Sequence, residues 1–150
     1  MEKNAIHNNL KMIRIPLVVT LSMILLFQTV LFIGYVPTVS MEPTLKAGSY
    51  IFGTRFTGEL EVGDIIVFRR DGQLIVKRIA GAPGDKINLS ELFYMTTLPI
   101  PVWEENVITV PEESYFVLGD NTENSFDSRY WKDRFVKKGD VVAKLLAKSP

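Results

Sequence analysis

Two patterns of apolar and polar residues divide this chain. From Ile15 to Val36, 22 residues carry no charge and are rich in Leu, Ile, Val and Phe. As one helix, at about 1.5 Å per residue, they span roughly 33 Å, slightly more than a hydrocarbon core of about 30 Å. Pro16 falls near the expected helix start, where a missing N–H does little harm, and Gly34 and Pro37 bracket the expected exit. After Pro37 the pattern becomes short β-type runs broken by Gly, Pro and Asp. Ser49–Thr54, Ile65–Arg69, Leu74–Ile79 and Tyr115–Leu118 read as strands, Val107–Val110 as a weaker one, and Val141–Leu146 as a strand or a helical end. Gly63-Asp64, Asp71-Gly72 and Gly81-Ala82-Pro83-Gly84-Asp85 supply turns between them.

These patterns predict a tail over 1–14, a transmembrane anchor over 15–36 and one β-rich domain over 37–150, mostly antiparallel. No internal repeat or low-complexity segment interrupts it. Leu92–Trp103 is unusually apolar for a connection; its side chains either pack into the core or dip into a membrane interface, where Trp and Tyr are enriched.

Charge sets the expected orientation. Lys3, Lys11 and Arg14 precede the span, while Glu42 and Lys46 cancel just after it, so the N-terminus is expected in the cytoplasm and the β domain outside it. A cleavable secretory signal would have an apolar region of about 7–15 residues ending in small side chains. This stretch is longer and ends Tyr35-Val36-Pro37-Thr38, which favours a permanent single-pass anchor in the cell membrane. The 17 basic and 17 acidic residues balance, so no global field favours nucleic acid. With no cysteine, a disulfide scaffold and a thiolate metal site are both excluded.

The inventory also narrows the chemistry. The only histidine, His7, lies on the far side of the apolar stretch, which excludes a Ser-His-Asp triad in the β domain. Ser40, in Ser40-Met41-Glu42-Pro43-Thr44, is either a turn residue or a nucleophile; four residues past Val36, it would stand at most about 14 Å beyond the expected helix end. Lys77, in Leu74-Ile75-Val76-Lys77-Arg78-Ile79, shares a strand face with Ile75 and Ile79, while Arg78 points the other way. Most strand lysines snorkel to water. An ammonium held against apolar neighbours would instead lose proton affinity, and moving it from about 10.4 to near 8 takes roughly 3 kcal/mol. A neutral amine could then serve Ser40 as general base. The run from Gly119 to Arg129 reads as a solvated polar loop or as a platform beneath such a lysine. It lacks the mid-loop Gly and terminal Glu of a calcium loop.

Together these pieces carry a resemblance. Ser40-Met41-x-Pro43-Thr44, Gly63-Asp64-Ile65-Ile66-Val67-Phe68, Val76-Lys77-Arg78-Ile79-x-Gly81-x-Pro83-Gly84-Asp85 and Gly119-Asp120-Asn121-x-x-x-Ser125-x-Asp127-Ser128-Arg129 resemble, in order, the motif set of type I signal peptidases. The similarity runs from the anchor to about Trp131. It implies the β fold shared with self-cleaving repressors, a Ser40 nucleophile and a Lys77 general base. It further implies that Ser125 orients the lysine amine and that the Ser40 N–H and the Thr38 hydroxyl form the oxyanion hole. Asp127 and Arg129 would brace the site. Val36, Met41, Leu45, Ile75 and Val76 would line shallow pockets for small residues at the first and third positions before the cut. The implied partners are signal-peptide-bearing precursors and the lipid bilayer, with no cofactor or metal. The chain departs from the commoner pattern at Thr38, where many members carry serine, and in the 33 residues between Asp85 and Gly119, too few for the extra β region of larger members. Two rivals remain: a self-cleaving Ser/Lys regulator, and an anchored β domain that binds exported chains without cutting them. Nothing in the sequence sets an oligomeric state.

Overall fold

Among the described residues a long helix, α1 (Glu2–Thr29), runs into nine strands. They are β1 (Leu31–Tyr35), β2 (Tyr50–Thr54), β3 (Ile65–Arg70), β4 (Gln73–Gly81), β5 (Lys86–Asn88), β6 (Val107–Thr109), β7 (Ser114–Leu118), β8 (Phe135–Lys137) and β9 (Val141–Leu145), with a short helix α2 (Leu89–Phe93) after β5. This computed structural model describes residues 2–93 and 106–146. Most of the apolar Leu92–Trp103 connection therefore lies outside the described residues.

Seven strands form one antiparallel sheet in the order β1-β2-β9-β3-β4-β7-β8, and β5 pairs with β6 in a separate ribbon. In β3 four successive residues, Ile65 to Phe68, are buried, because both of its faces are covered. Ile65 and Val67 enter one core cluster with Phe32, Val36, Met41 and Ile51, while Ile66 and Phe68 enter another with Ile79, Val117 and Trp131. A continuous apolar run is what a strand buried on both sides requires. The edges of the strands expected from sequence shift by one or two residues, and Val141–Leu145 is a strand rather than a helical end.

The apolar stretch is divided, and this corrects the expected anchor over 15–36. The helix ends at Thr29, and Leu31–Tyr35 forms β1, paired with β2 in the register Leu31↔Thr54 to Tyr35↔Tyr50. Hydropathy alone does not separate a spanning helix from a strand that continues it. The pairing captures the backbone, Phe32 and Val36 bury in the core, and Gly34 leaves room for the Phe32 ring, which an added Cβ would meet at 2.8 Å. Among the described residues, the helix long and apolar enough to cross a membrane covers Met12–Thr29, 18 residues or about 27 Å. The 14 Å limit on Ser40 falls with that boundary: Ser40 lies eleven positions past Thr29, a reach of up to about 40 Å.

Candidate active site

Ser40 sits in a single 3-10 turn, Val39–Met41, between β1 and β2. The loop is pinned at both ends. Val36 N–H donates to Ser49 O at 2.9 Å, Gly48 N–H to Val36 O at 2.8 Å, and Leu45 N–H to Met41 O at 2.8 Å. The loop after β7 holds it from the side: Asn121 N–H donates to Ser40 O at 3.1 Å, and Asn121 Nδ2 to Val39 O at 3.2 Å. Gly119 makes this approach possible, since a Cβ there would collide with both the Ser40 carbonyl and the Ser125 hydroxyl.

Lys77 reaches Ser40 from the middle of β4. Its Nζ donates to Ser40 Oγ at 2.6 Å, and the residue is 3% exposed. Directly across the strand pair stands the fully buried Ile66, and Ile79 lies two residues along the same face. Desolvation by these neighbours lowers the lysine pKa from 10.5 to about 8. The Asp127 carboxylate opposes that fall, Arg129 adds to it, and Asp120 opposes it. Near neutrality a minority of molecules therefore hold an uncharged amine beside a hydroxyl, the arrangement that general-base activation of serine requires.

Beneath the pair lies a buried ion pair. Arg129 Nε donates to Asp127 Oδ1 and Nη2 to Oδ2, both at 2.9 Å, and the two side chains are 1% and 0% exposed. Asp127 Oδ2 also accepts from Gly119 N–H at 2.9 Å, and Arg129 Nη2 donates to Thr122 O at 3.0 Å. Ser125 is placed differently from expectation: its hydroxyl donates to Asp127 Oδ2 at 2.6 Å, and Lys77's hydrogen bond goes to Ser40. Ser125 thus touches the lysine's electrostatic partner, and a carboxylate is a stronger acceptor than an amine. The Thr38 hydroxyl lies 3.3 Å from Ser40 Oγ, on the approach to the nucleophile.

Sequence reasoning missed the work of Arg78. Facing away from Lys77, its guanidinium grips Asp120 through two bonds of 2.8 and 2.7 Å, donates to Gly63 O at 2.8 Å and reaches Thr44 Oγ1 at 3.4 Å. The loop after Ser40, the turn before β3 and the loop after β7 meet on this one side chain. Its hydrogen bond to Asp120 raises the Arg78 pKa, and burial works the other way. At Asp120 burial pushes upward, but the hydrogen bonds from Arg78 and Thr44 prevail and lower the carboxyl pKa. The signal was available in the adjacent Lys77-Arg78, which period two sends to opposite faces.

Ser40 and Lys77 open on a cavity of about 460 Å³. Val36, Met41, Ile75 and Val76 line it. Leu45 does not; it packs against the core cluster behind, with its N–H turned to Met41 O. The lining also includes Phe32, Ile33 and Tyr35 from β1, hidden in the sequence within the apolar stretch, and Phe126 from the opposite loop.

Comparison with known proteins bears on this geometry. A family described as "Signal peptidase, peptidase S26" matches residues 9–95 and 93–148. "Signal peptidase I" of Bacillus licheniformis is 33% identical over 153 aligned residues, covering 85% of this chain and 80% of that protein. "Signal peptidase I S" of Bacillus subtilis is 32% identical, covering 81% and 79%. "Probable signal peptidase I-2" of Synechocystis is 34% identical over 117 residues, and there the match takes in 65% of this chain and about half, 54%, of the relative.

Proposed function

The chain belongs to the signal peptidase family, peptidase S26, and on that premise we propose a membrane-anchored serine endopeptidase that removes signal peptides from exported precursors. One observation carries the reading: a buried lysine amine, its pKa lowered to about 8, lies 2.6 Å from the Ser40 hydroxyl at the wall of an apolar cavity.

In this reading the neutral Lys77 takes the Ser40 proton as Oγ attacks the scissile carbonyl carbon. The negative charge that forms on the carbonyl oxygen is met by the Ser40 N–H and the Thr38 hydroxyl; loss of one such donor typically costs about 3–4 kcal/mol of transition-state stabilisation. Lys77 then returns the proton to the departing amine, which leaves as the new N-terminus of the mature protein. The acyl group stays on Ser40 as an ester until water, deprotonated by the same amine, releases it. Asp127, with Arg129 and Ser125, holds the lysine's surroundings fixed. Val36, Met41, Ile75 and Val76 shape the pocket for small residues before the cut, and close walls disfavour large ones.

The helix Met12–Thr29 is the anchor, with the N-terminus cytoplasmic and the β domain on the outer face; Lys3, Lys11 and Arg14 on the inner flank support that sidedness. Anchoring confines enzyme and precursor to one plane, which raises their encounter rate at no chemical cost. The test is incubation of purified protein with a labelled precursor bearing an Ala-x-Ala site, followed by mapping of the new N-terminus. Cleavage after the final Ala, abolished in Ser40→Ala and in Lys77→Ala, is expected. Cleavage elsewhere, or full turnover by either variant, contradicts the proposal.

A further inference from the structure

The catalytic cavity has a buried floor and an exposed apolar mouth. Val36, Met41, Ile51 and Val67 line its floor, all part of the core, whereas Ile33, Tyr35, Leu74 and Phe126 line it while remaining largely in solvent. Phe126 stands apart from the other three. It is the most exposed, at 64%, and the only apolar side chain that the loop after β7 contributes to the lining.

Its position is fixed from both sides. Ser125 and Asp127 are wholly buried and joined by their 2.6 Å hydrogen bond, and Asp127 is locked to Arg129. With both neighbours turned inward, Phe126 has only the mouth to occupy. Its ring is stacked on Tyr130, centroids 5.8 Å apart and planes 17° from parallel, and the Arg129 guanidinium lies 5.3 Å from the centre of the Tyr130 ring. A single exposed apolar residue needs no explanation. A ring held at the entrance to a nucleophile, with one face already stacked on Tyr130, offers on its other face a preorganised apolar surface that loses little entropy when covered.

A peptide crossing this cavity in an extended conformation sends alternate side chains to opposite faces. If the first and third residues before the cut drop to the floor, the second turns to the mouth. Resting on the peptidase reading above, we infer that Phe126 is a specificity-determining residue: its ring packs on the side chain two residues before the cut and favours an apolar or aromatic one there.

The experiment compares two precursors, identical except for Phe or Ser at that second position, with the full chain in detergent. The wild type is expected to favour the Phe precursor by roughly tenfold in kcat/KM, the scale of one aromatic contact in an apolar site. Phe126→Ala should bring the ratio close to one, while Phe126→Tyr and Phe126→Leu retain most of it. A structural role alone would slow both precursors together and leave the ratio intact; that result overturns the inference. So does a change in preference confined to the residue after the cut. If the wild type cuts neither precursor, the peptidase reading itself fails, whereas cleavage with an unchanged ratio removes only the role of Phe126.

Discussion

Replacing Lys77 by methionine should make the folded protein more stable near neutral pH and inactive. The perturbation removes one titrating amine and keeps a side chain of similar length. Lysine titrates near 10.5 when unfolded and at about 8 in the fold. Between those values the unfolded chain holds a proton that the folded one has released, so this group makes stability rise with pH. The whole gap is worth about 3 kcal/mol, and about 2.5 kcal/mol of it falls between pH 7 and pH 10. Methionine avoids that penalty but forfeits the 2.6 Å bond to Ser40, worth about 1 kcal/mol net. The expected gain at pH 7 is therefore about 2 kcal/mol, or on the order of 8 °C in Tm for a domain of this size. Paired melting curves of the wild type and Lys77→Met at pH 7 and pH 10 provide the assay. Other lysines titrate equally in both proteins and cancel. The advantage of methionine should fall by about 2.5 kcal/mol from pH 7 to pH 10. Parallel pH dependence of the two proteins would refute a desolvated amine at this position.

Lys77→Arg should be as inactive as Lys77→Ala in the precursor assay, because a guanidinium cannot supply a neutral base at any working pH; measurable turnover by the arginine variant would contradict the assigned role. Gly119→Ala should lower both Tm and kcat, since the new methyl collides with the Ser40 carbonyl and the Ser125 hydroxyl; a loss of about 1–3 kcal/mol is expected, and wild-type values in both measurements would show the loop to be looser than described. Arg78→Met should destabilise by about 2 kcal/mol by stranding Asp120, and a cycle with Asp120→Asn should return a coupling of at least about 1 kcal/mol; additive losses would deny the link between the three loops.

Much of this arrangement was legible from residue periodicity. Alternation on β4 was enough to set Lys77 beside Ile75 and Ile79 and to turn Arg78 away, and the Gly- and Asp-rich turns marked most strand ends. Pairing Lys77 with Ser40 needed more, because they are 37 positions apart and only the order of motifs linked them. β1 was invisible because Leu31–Tyr35 is as apolar as the helix before it, and what separates them is pairing with Tyr50–Thr54. β5 and β8 are three residues each, too short to show a period. The partner of Ser125 was undecidable in sequence: lysine and carboxylate were both within reach of that loop, and only the fold shows the hydroxyl turned to Asp127. Leu45 looked like a pocket residue by position in its motif, yet the turn after Ser40 rotates it into the core.

The proposed mechanism depends on a lysine that is uncharged when Ser40 reacts. The pH dependence of kcat/KM for a labelled precursor, followed by appearance of the mature N-terminus, measures that state in the free enzyme. An acid limb with an apparent pKa of about 8 is the expected result. A limb close to 10.5, or activity that does not fall as the pH drops to 6, would contradict it.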